Sequence, residues 1–213
     1  MLDNIGKIEK TIGYTFNNKK LLELALTHTS YANEHGCESF ERLEFLGDSV
    51  LGFTAAKNVY SLFPKRSEGD LSKIRAGLVC EESLASFSHK MGLPQYIRLG
   101  VGEEKTGGRN KDSILSDSFE ALIAAIFLDG GINAAMKWVN RVITKDCYLN
   151  FIYKDFKSML QEKYKLSEIE YQVVQSASGF TATAYADGKK IGSGTGVSKK
   201  TAEQKAAQCA LNR

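Results

Sequence analysis

Apolar residues recur at helical spacing through the first two thirds of this chain and at alternating spacing in part of the last third, so the order of elements is legible from pattern alone. Leu21, Leu22, Ala25 and Leu26 mark one helix, residues 43–60 a long one, 71–80 a third and 82–91 a fourth. Pro64 and Pro94, the two prolines of the chain, fall between these runs, where a residue without a backbone N–H stops a helix. Residues 100–110, rich in glycine and charge, read as a loop. A buried helix through Phe119 and Ile126 follows, and residues 132–144, with the single tryptophan Trp138, close this helical half. The period then changes. Residues 154–164 are helical, 170–177, 180–186 and 189–194 alternate as short strands with Asp187-Gly188 as a hairpin turn, and 199–211 form a last helix.

The long helix carries unusual chemistry, because its first turns read Glu41-Arg42-Leu43-Glu44-Phe45-Leu46-Gly47-Asp48-Ser49-Val50-Leu51. At about 100° per residue, Glu41, Glu44 and Asp48 lie within roughly 60° of one another. That stripe continues into Leu51 and Ala55 while other faces carry Val50, Phe53 and Ala56, so a buried helix without a polar face is expected. Like charges beside an apolar interior are costly unless something offsets them. A hard divalent cation held by oxygen ligands is the usual offset, Mg²⁺ above all when the substrate brings phosphates. The plainer alternative is a solvated helix face. A second acidic set weighs against it: Asp117 and Glu120 precede another fully apolar run. They also fit a capping box, but Ile114 and Leu115 already belong to the apolar face of Phe119, Leu122 and Ile126, which starts the helix earlier and puts Asp117 inside it.

Charge is unevenly divided. Residues 1–149 hold 18 Lys and Arg against 19 Asp and Glu, a sum of −1, whereas residues 150–213 hold 10 against 6, a sum of +4. The smaller C-terminal part is therefore the electrostatic partner for a polyanion. Cys37, Cys80, Cys147 and Cys209 show no metal or redox spacing and read as buried free thiols of a reducing cytosol. No signal-peptide run opens the chain and no stretch is expected to cross a membrane, so a cytoplasmic location is expected.

Five ordered blocks resemble the ribonuclease III family of double-stranded-RNA endonucleases: Ala25 to Glu34, Glu41 to Leu51, Gly69 to Ala76, Gly102 to Asn110 and Ser113 to Gly131. The later α-β-β-β-α order resembles a double-stranded-RNA-binding domain, with Gly194-Thr195-Gly196-Val197-Ser198-Lys199-Lys200 where that family places a phosphate clamp. A glycine-containing turn into a helix N-terminus presents backbone N–H groups, and the lysines add charge against phosphates. The resemblance implies a multi-domain fold: an all-α endonuclease domain, residues 1–149, and an α+β RNA-binding domain, residues 153–213. It implies Glu44, Asp48, Asp117 and Glu120 as ligands of Mg²⁺, with Mn²⁺ as substitute, and Asp48, Glu120 and a supporting Glu41 in catalysis. Gln161, Glu162, Ser198, Lys199 and Lys200 would contact RNA. The family's longer first hairpin loop is cut here to Ser178-Gly179, which weakens one expected RNA contact.

The implied activity is cleavage of double-stranded RNA by metal-assisted hydrolysis, leaving 5′ phosphates and 3′ hydroxyls in ribosomal and messenger RNA precursors. A homodimer is implied, with Phe45 and Leu46 as candidates for the isologous contact or for plain core packing. His28 lies in a matching block, yet a structural hydrogen-bonding role is expected, since metal-assisted hydrolysis generates its nucleophile without an imidazole. The competing reading is a non-catalytic duplex-RNA-binding protein on a nuclease scaffold. The complete acidic set favours catalysis.

Overall fold

The structure, a computed structural model, describes residues 2–153, 156–165, 167–176 and 179–212, and divides into two compact units, Met1–Tyr148 and Leu149–Arg213. The first unit is built from helices α1 (Leu2–Ile12), α2 (Lys19–Ala25), α3 (Thr29–His35), α4 (Glu41–Leu62), α5 (Glu68–Leu78), α6 (Glu81–Met91), α7 (Val101–Lys105) and α8 (Asp112–Val142), with α9 (Lys145–Tyr153) beginning at its end. Short polar residues start several of them. Asn18 accepts a hydrogen bond from the Lys20 N–H at the start of α2, and Ser67 accepts from the Asp70 N–H at the start of α5 while its hydroxyl donates to the Asp70 carboxylate.

The core forms around α8. Ile114, Leu115, Phe119, Leu122, Ile123 and Ile126 are all buried, and α8 packs on α4, α6 and α2. Across α6 the Ser88 hydroxyl donates to the Leu115 carbonyl at 2.8 Å, so even the polar side chain at that contact is satisfied. Trp138 packs on Phe119 at 5.3 Å between ring centroids and donates its indole N–H to the Ile12 carbonyl at 2.7 Å, which ties α1 down. Asp129 gathers the Tyr14 hydroxyl and the Asn17 and Asn18 N–H groups at 2.8–2.9 Å, holding the turn between α1 and α2.

Several expectations are corrected by this packing. The expected elements do not include α1 and α3, although Ile5, Ile8 and Ile12 give α1 a clear helical period, and residues 100–110 are α7 and a 3-10 turn (Gly108–Asn110) rather than an open loop. Two hydrogen bonds from the Val101 N–H to the Glu34 carboxylate, at 2.9 and 3.1 Å, supply the cap that this segment does not contain itself. Helix α4 is not buried on all sides, since Phe45 is 79% exposed, Phe53 56% and Tyr60 75%. Cys37 and Cys80 are exposed, not buried. Helix α8 is long and apolar enough to cross a membrane by length and composition, contrary to expectation, but Gly131 (φ 77°) breaks it and its apolar residues form the core just described.

In the second unit α10 (Phe156–Lys163) and α11 (Lys199–Leu211) pack on one antiparallel sheet of order β1-β2-β3, formed by Ile169–Ser176, Gly179–Ala186 and Lys189–Gly196. Asp187 and Gly188 form the expected turn, both with positive φ, as a two-residue hairpin of this twist requires. The core is small: Leu160, Ala182, Ala184, Ala202, Ala206, Ala207 and Ala210. Strand β3 runs on to Gly196, past the expected end at 194, because its glycines serve packing rather than a turn. A Cβ on Gly192 would lie 2.4 Å from the Ala206 carbonyl oxygen, and on Gly194 or Gly196 within 2.7 Å of an α11 backbone nitrogen. Ser178 of the shortened loop and Lys154 of the expected helix lie outside the described residues; Ser176 pairs with Gly179 across β1 and β2.

Candidate active site and RNA-binding face

Helices α4 and α8 touch where their acidic residues face each other, and a glycine makes that possible. A Cβ on Gly47 would sit 1.9 Å from the carbonyl oxygen of Glu120, so any larger residue holds the two backbones apart. Glu44, one turn before Gly47, then meets Asp117 and Glu120, with one carboxylate oxygen of each within 4.8 Å of the others. All three are partly buried. Asp48 is exposed and is not drawn into this triplet, yet its charge acts on both Glu44 and Glu120. Glu41 is exposed as well, accepts a hydrogen bond from the Ser39 hydroxyl at 2.8 Å, and acts electrostatically on Glu44.

The electrostatics follow from this crowding. Burial, then the charges of Asp48, Asp117 and Glu44, push the Glu120 carboxyl up to about 8. Glu44 is raised by burial and by Asp117, Glu41 and Asp48. Asp117 is raised mainly by burial, against a hydrogen bond from Ser116 that lowers it. A site of hard oxygen donors that resists holding its own charge suits a hard divalent cation, which supplies the missing positive charge. Sequence spacing had not singled out Glu81, at the start of α6, whose charge also raises Asp117. Only packing of α6 on α8 brings it near.

On the second unit, Ser198 caps α11 by accepting from the Thr201 N–H at 3.2 Å, and Lys199 and Lys200, both exposed, follow it. Ser198 is thus committed through its hydroxyl to the cap, while the lysines stand at a helix N-terminus whose N–H groups favour anions. Gln161 and Glu162 are exposed near the end of α10. Lys157 is held instead by Glu203 at 2.6 Å.

Comparison with known proteins matches both units. A family model described as Ribonuclease-III-like matches residues 18–147, and one described as Double-stranded RNA binding motif matches residues 156–213. The chain is 44% identical over 221 residues to ribonuclease 3 of Streptococcus agalactiae, covering 97% of this chain and 96% of that protein. It is 40% identical over 222 residues to ribonuclease 3 of Listeria innocua, with 97% and 96% covered. Among solved structures, the nuclease domain of ribonuclease III from Campylobacter jejuni is similar at 44% identity and a TM-score of 0.63, covering 67% of this chain and 95% of that one. A second structure of that domain, described as showing flexibility in a region involved in dimer formation, has a TM-score of 0.62 at 44% identity, over 65% of this chain and 95% of that one.

Proposed function

Because this chain belongs to the ribonuclease III family, and is an endoribonuclease of double-stranded RNA, we propose that Glu44, Asp48, Asp117 and Glu120 hold Mg²⁺, with Mn²⁺ as a substitute, and that Glu41 supports them. Nucleases of this family depend on metal; the identity of the ion and of its ligands is our reading. The observation that carries it is the meeting of α4 and α8 at Gly47, which gathers carboxylates into one half-buried volume where burial first, and their mutual repulsion second, push Glu120 up to about 8. When bound, the cation stabilises charge building on the scissile phosphate and lowers the pKa of attacking water. The carboxylates of α4 and α8 orient it from fixed helices, which keeps the site in one geometry. Hydrolysis in this sense leaves 5′ phosphates and 3′ hydroxyls with short 3′ overhangs, and cytoplasmic ribosomal and messenger RNA precursors are the proposed substrates.

A homodimer fits the surface of α4. Phe45, Phe53 and Tyr60 form an exposed apolar stripe on the helix that carries Glu44, with Leu46 and Ala56 partly exposed beside it. Such a stripe is costly in water and marks an interface. An isologous pair would present two acidic clusters to one duplex, one for each strand. The test is direct: the purified chain, dimeric by mass at micromolar concentration, cuts a long RNA duplex in Mg²⁺ and stops on addition of a chelator. Cleavage that persists in chelator, or double-strand cutting by a monomer, refutes the corresponding part of this reading.

For the second unit we propose that Lys199 and Lys200 contact phosphates, that Ser198 orders their helix, and that Gln161 and Glu162 reach the minor groove. With β1 and β2 joined by residues 177 and 178 alone after the Ser176–Gly179 pair, grip rests chiefly on the lysines. Changing both to Ala should shrink the salt slope of duplex binding by up to about two, at roughly 0.9 or less per phosphate released, with similar loss for unrelated sequences. An unchanged slope would place the RNA elsewhere on this unit.

A further inference from the structure

The imidazole of His28 has one edge committed and one edge left over. As the residue that caps α3, it accepts at Nδ1 from the Ser30 N–H at 3.2 Å. The Ser30 hydroxyl, which accepts from the Gly100 N–H at 2.9 Å, lies 2.8 Å from the same nitrogen, and because Nδ1 already accepts the Ser30 N–H and has no proton to give, the hydroxyl donates to the ring. Both neighbours therefore donate to Nδ1, and the neutral ring carries its proton on Nε2. The structural role expected for His28 is met by Nδ1 alone. Nε2 has no hydrogen-bond partner among the described residues.

The ring is also held in place within electrostatic reach of Asp117, one of the three clustered carboxylates. It packs against Phe40, the residue before Glu41, at 5.6 Å between centroids, and the Phe40 N–H donates to the Thr27 carbonyl at 2.9 Å. The charged groups that act on it come from every side: Glu103 of α7, Asp117 of α8, Glu41 of α4, and Lys111 just before α8. Lys111 is bound to Glu103 at 2.6 Å, so the cation that acts on the ring is already engaged. Burial is the largest influence on the ring and holds its pKa below the ordinary value, which keeps it neutral at neutral pH.

We propose that the Nε2–H of His28 is a further substrate contact, donating a hydrogen bond to a phosphate oxygen of the RNA strand seated at the carboxylate cluster. A phosphate approaching several carboxylates needs donors around it, and a neutral N–H supplies one without a positive charge that would compete with the cation for the same ligands. The inference rests on the proposed placement of the cleavage site.

Two substitutions separate the edges of the ring. His28→Asn places an amide oxygen near Nδ1, which keeps the cap, and offers nothing at Nε2; His28→Gln reaches toward Nε2 with an N–H and gives up the cap. Single-turnover cleavage in saturating Mg²⁺ is expected to fall about tenfold to a hundredfold in His28→Asn, with melting temperature and duplex affinity near wild type. His28→Gln, compared where both are folded, should be the less stable protein and the faster enzyme. An activity order that follows stability instead, with His28→Asn equal to or faster than His28→Gln, overturns the proposal. If Glu120→Gln were fully active the placement of the cleavage site itself would fail; with that variant inactive, an adverse result for His28 removes this contact alone.

Discussion

Glu120→Gln is expected to reduce cleavage of duplex RNA by about a hundredfold to a thousandfold or more while duplex binding stays at the wild-type level. The substitution preserves shape and removes one anionic oxygen from the triplet of Glu44, Asp117 and Glu120, so what is lost is charge for the cation rather than packing. The variant should also show an unusual gain. Burial and three neighbouring carboxylates raise Glu120 from 4.5 to about 8, which means the folded protein without metal binds this proton more tightly than the unfolded chain does. That contribution to stability is complete below pH 4.5 and is lost as pH rises through about 8. Glutamine has no proton to lose, so in chelator the melting temperature of Glu120→Gln relative to wild type should climb across this window and level off above it. Near-normal turnover in Mg²⁺, or a variant less stable than wild type at pH 9 in chelator, would remove Glu120 from the site.

Gly47→Ala is expected to damage the same site without touching a carboxylate. The added methyl would lie 1.9 Å from the Glu120 carbonyl oxygen and 2.4 Å from its carbonyl carbon, in backbone that cannot turn aside as a side chain does. Helices α4 and α8 must separate, at a cost of about 1–3 kcal/mol or more for overpacking. Moving Glu44 by about 1 Å against Asp117 and Glu120 should cost roughly a hundredfold in cleavage. Melting curves and single-turnover cleavage measure the two effects. A stable, fully active Gly47→Ala would show that the close crossing is not what sets the cluster. Gly52, farther along α4, meets nothing within 4 Å at its Cβ position and serves as the control, since Gly52→Ala should be tolerated or slightly stabilising.

The second unit was legible almost element by element, because alternation, a turn dipeptide and a following helix are local signals. Its glycines were not. The spacing around Gly194 and Gly196 looks like a turn into a helix, yet both lie in β3, where they admit the backbone of α11. Whether a glycine bends a chain or lets another approach depends on what stands opposite, which is Ala206 for Gly194 and Ala202 for Gly196. The same limit applies to α4, whose apolar spacing predicts core on every side. Leu51 and Ala55 are, while Phe45 and Phe53 are not.

Local pattern therefore determined the order of the longer helices and of the strands, the presence of Asp117 within a helix rather than at its cap, the uneven charge and the residues able to bind a cation. These depend on neighbours a few positions away, whose spacing is set by helix and strand geometry. Tertiary structure alone decided that Glu44 of α4 and Asp117 and Glu120 of α8 share one small volume while Asp48 stays exposed at its margin. It also decided that Glu34 caps α7 and that the His28 ring stands within electrostatic reach of Asp117 and Glu41. Each of these requires two segments distant in sequence to meet at hydrogen-bond or carboxylate range, and that meeting is set by how closely the helices pack, at Gly47 most of all.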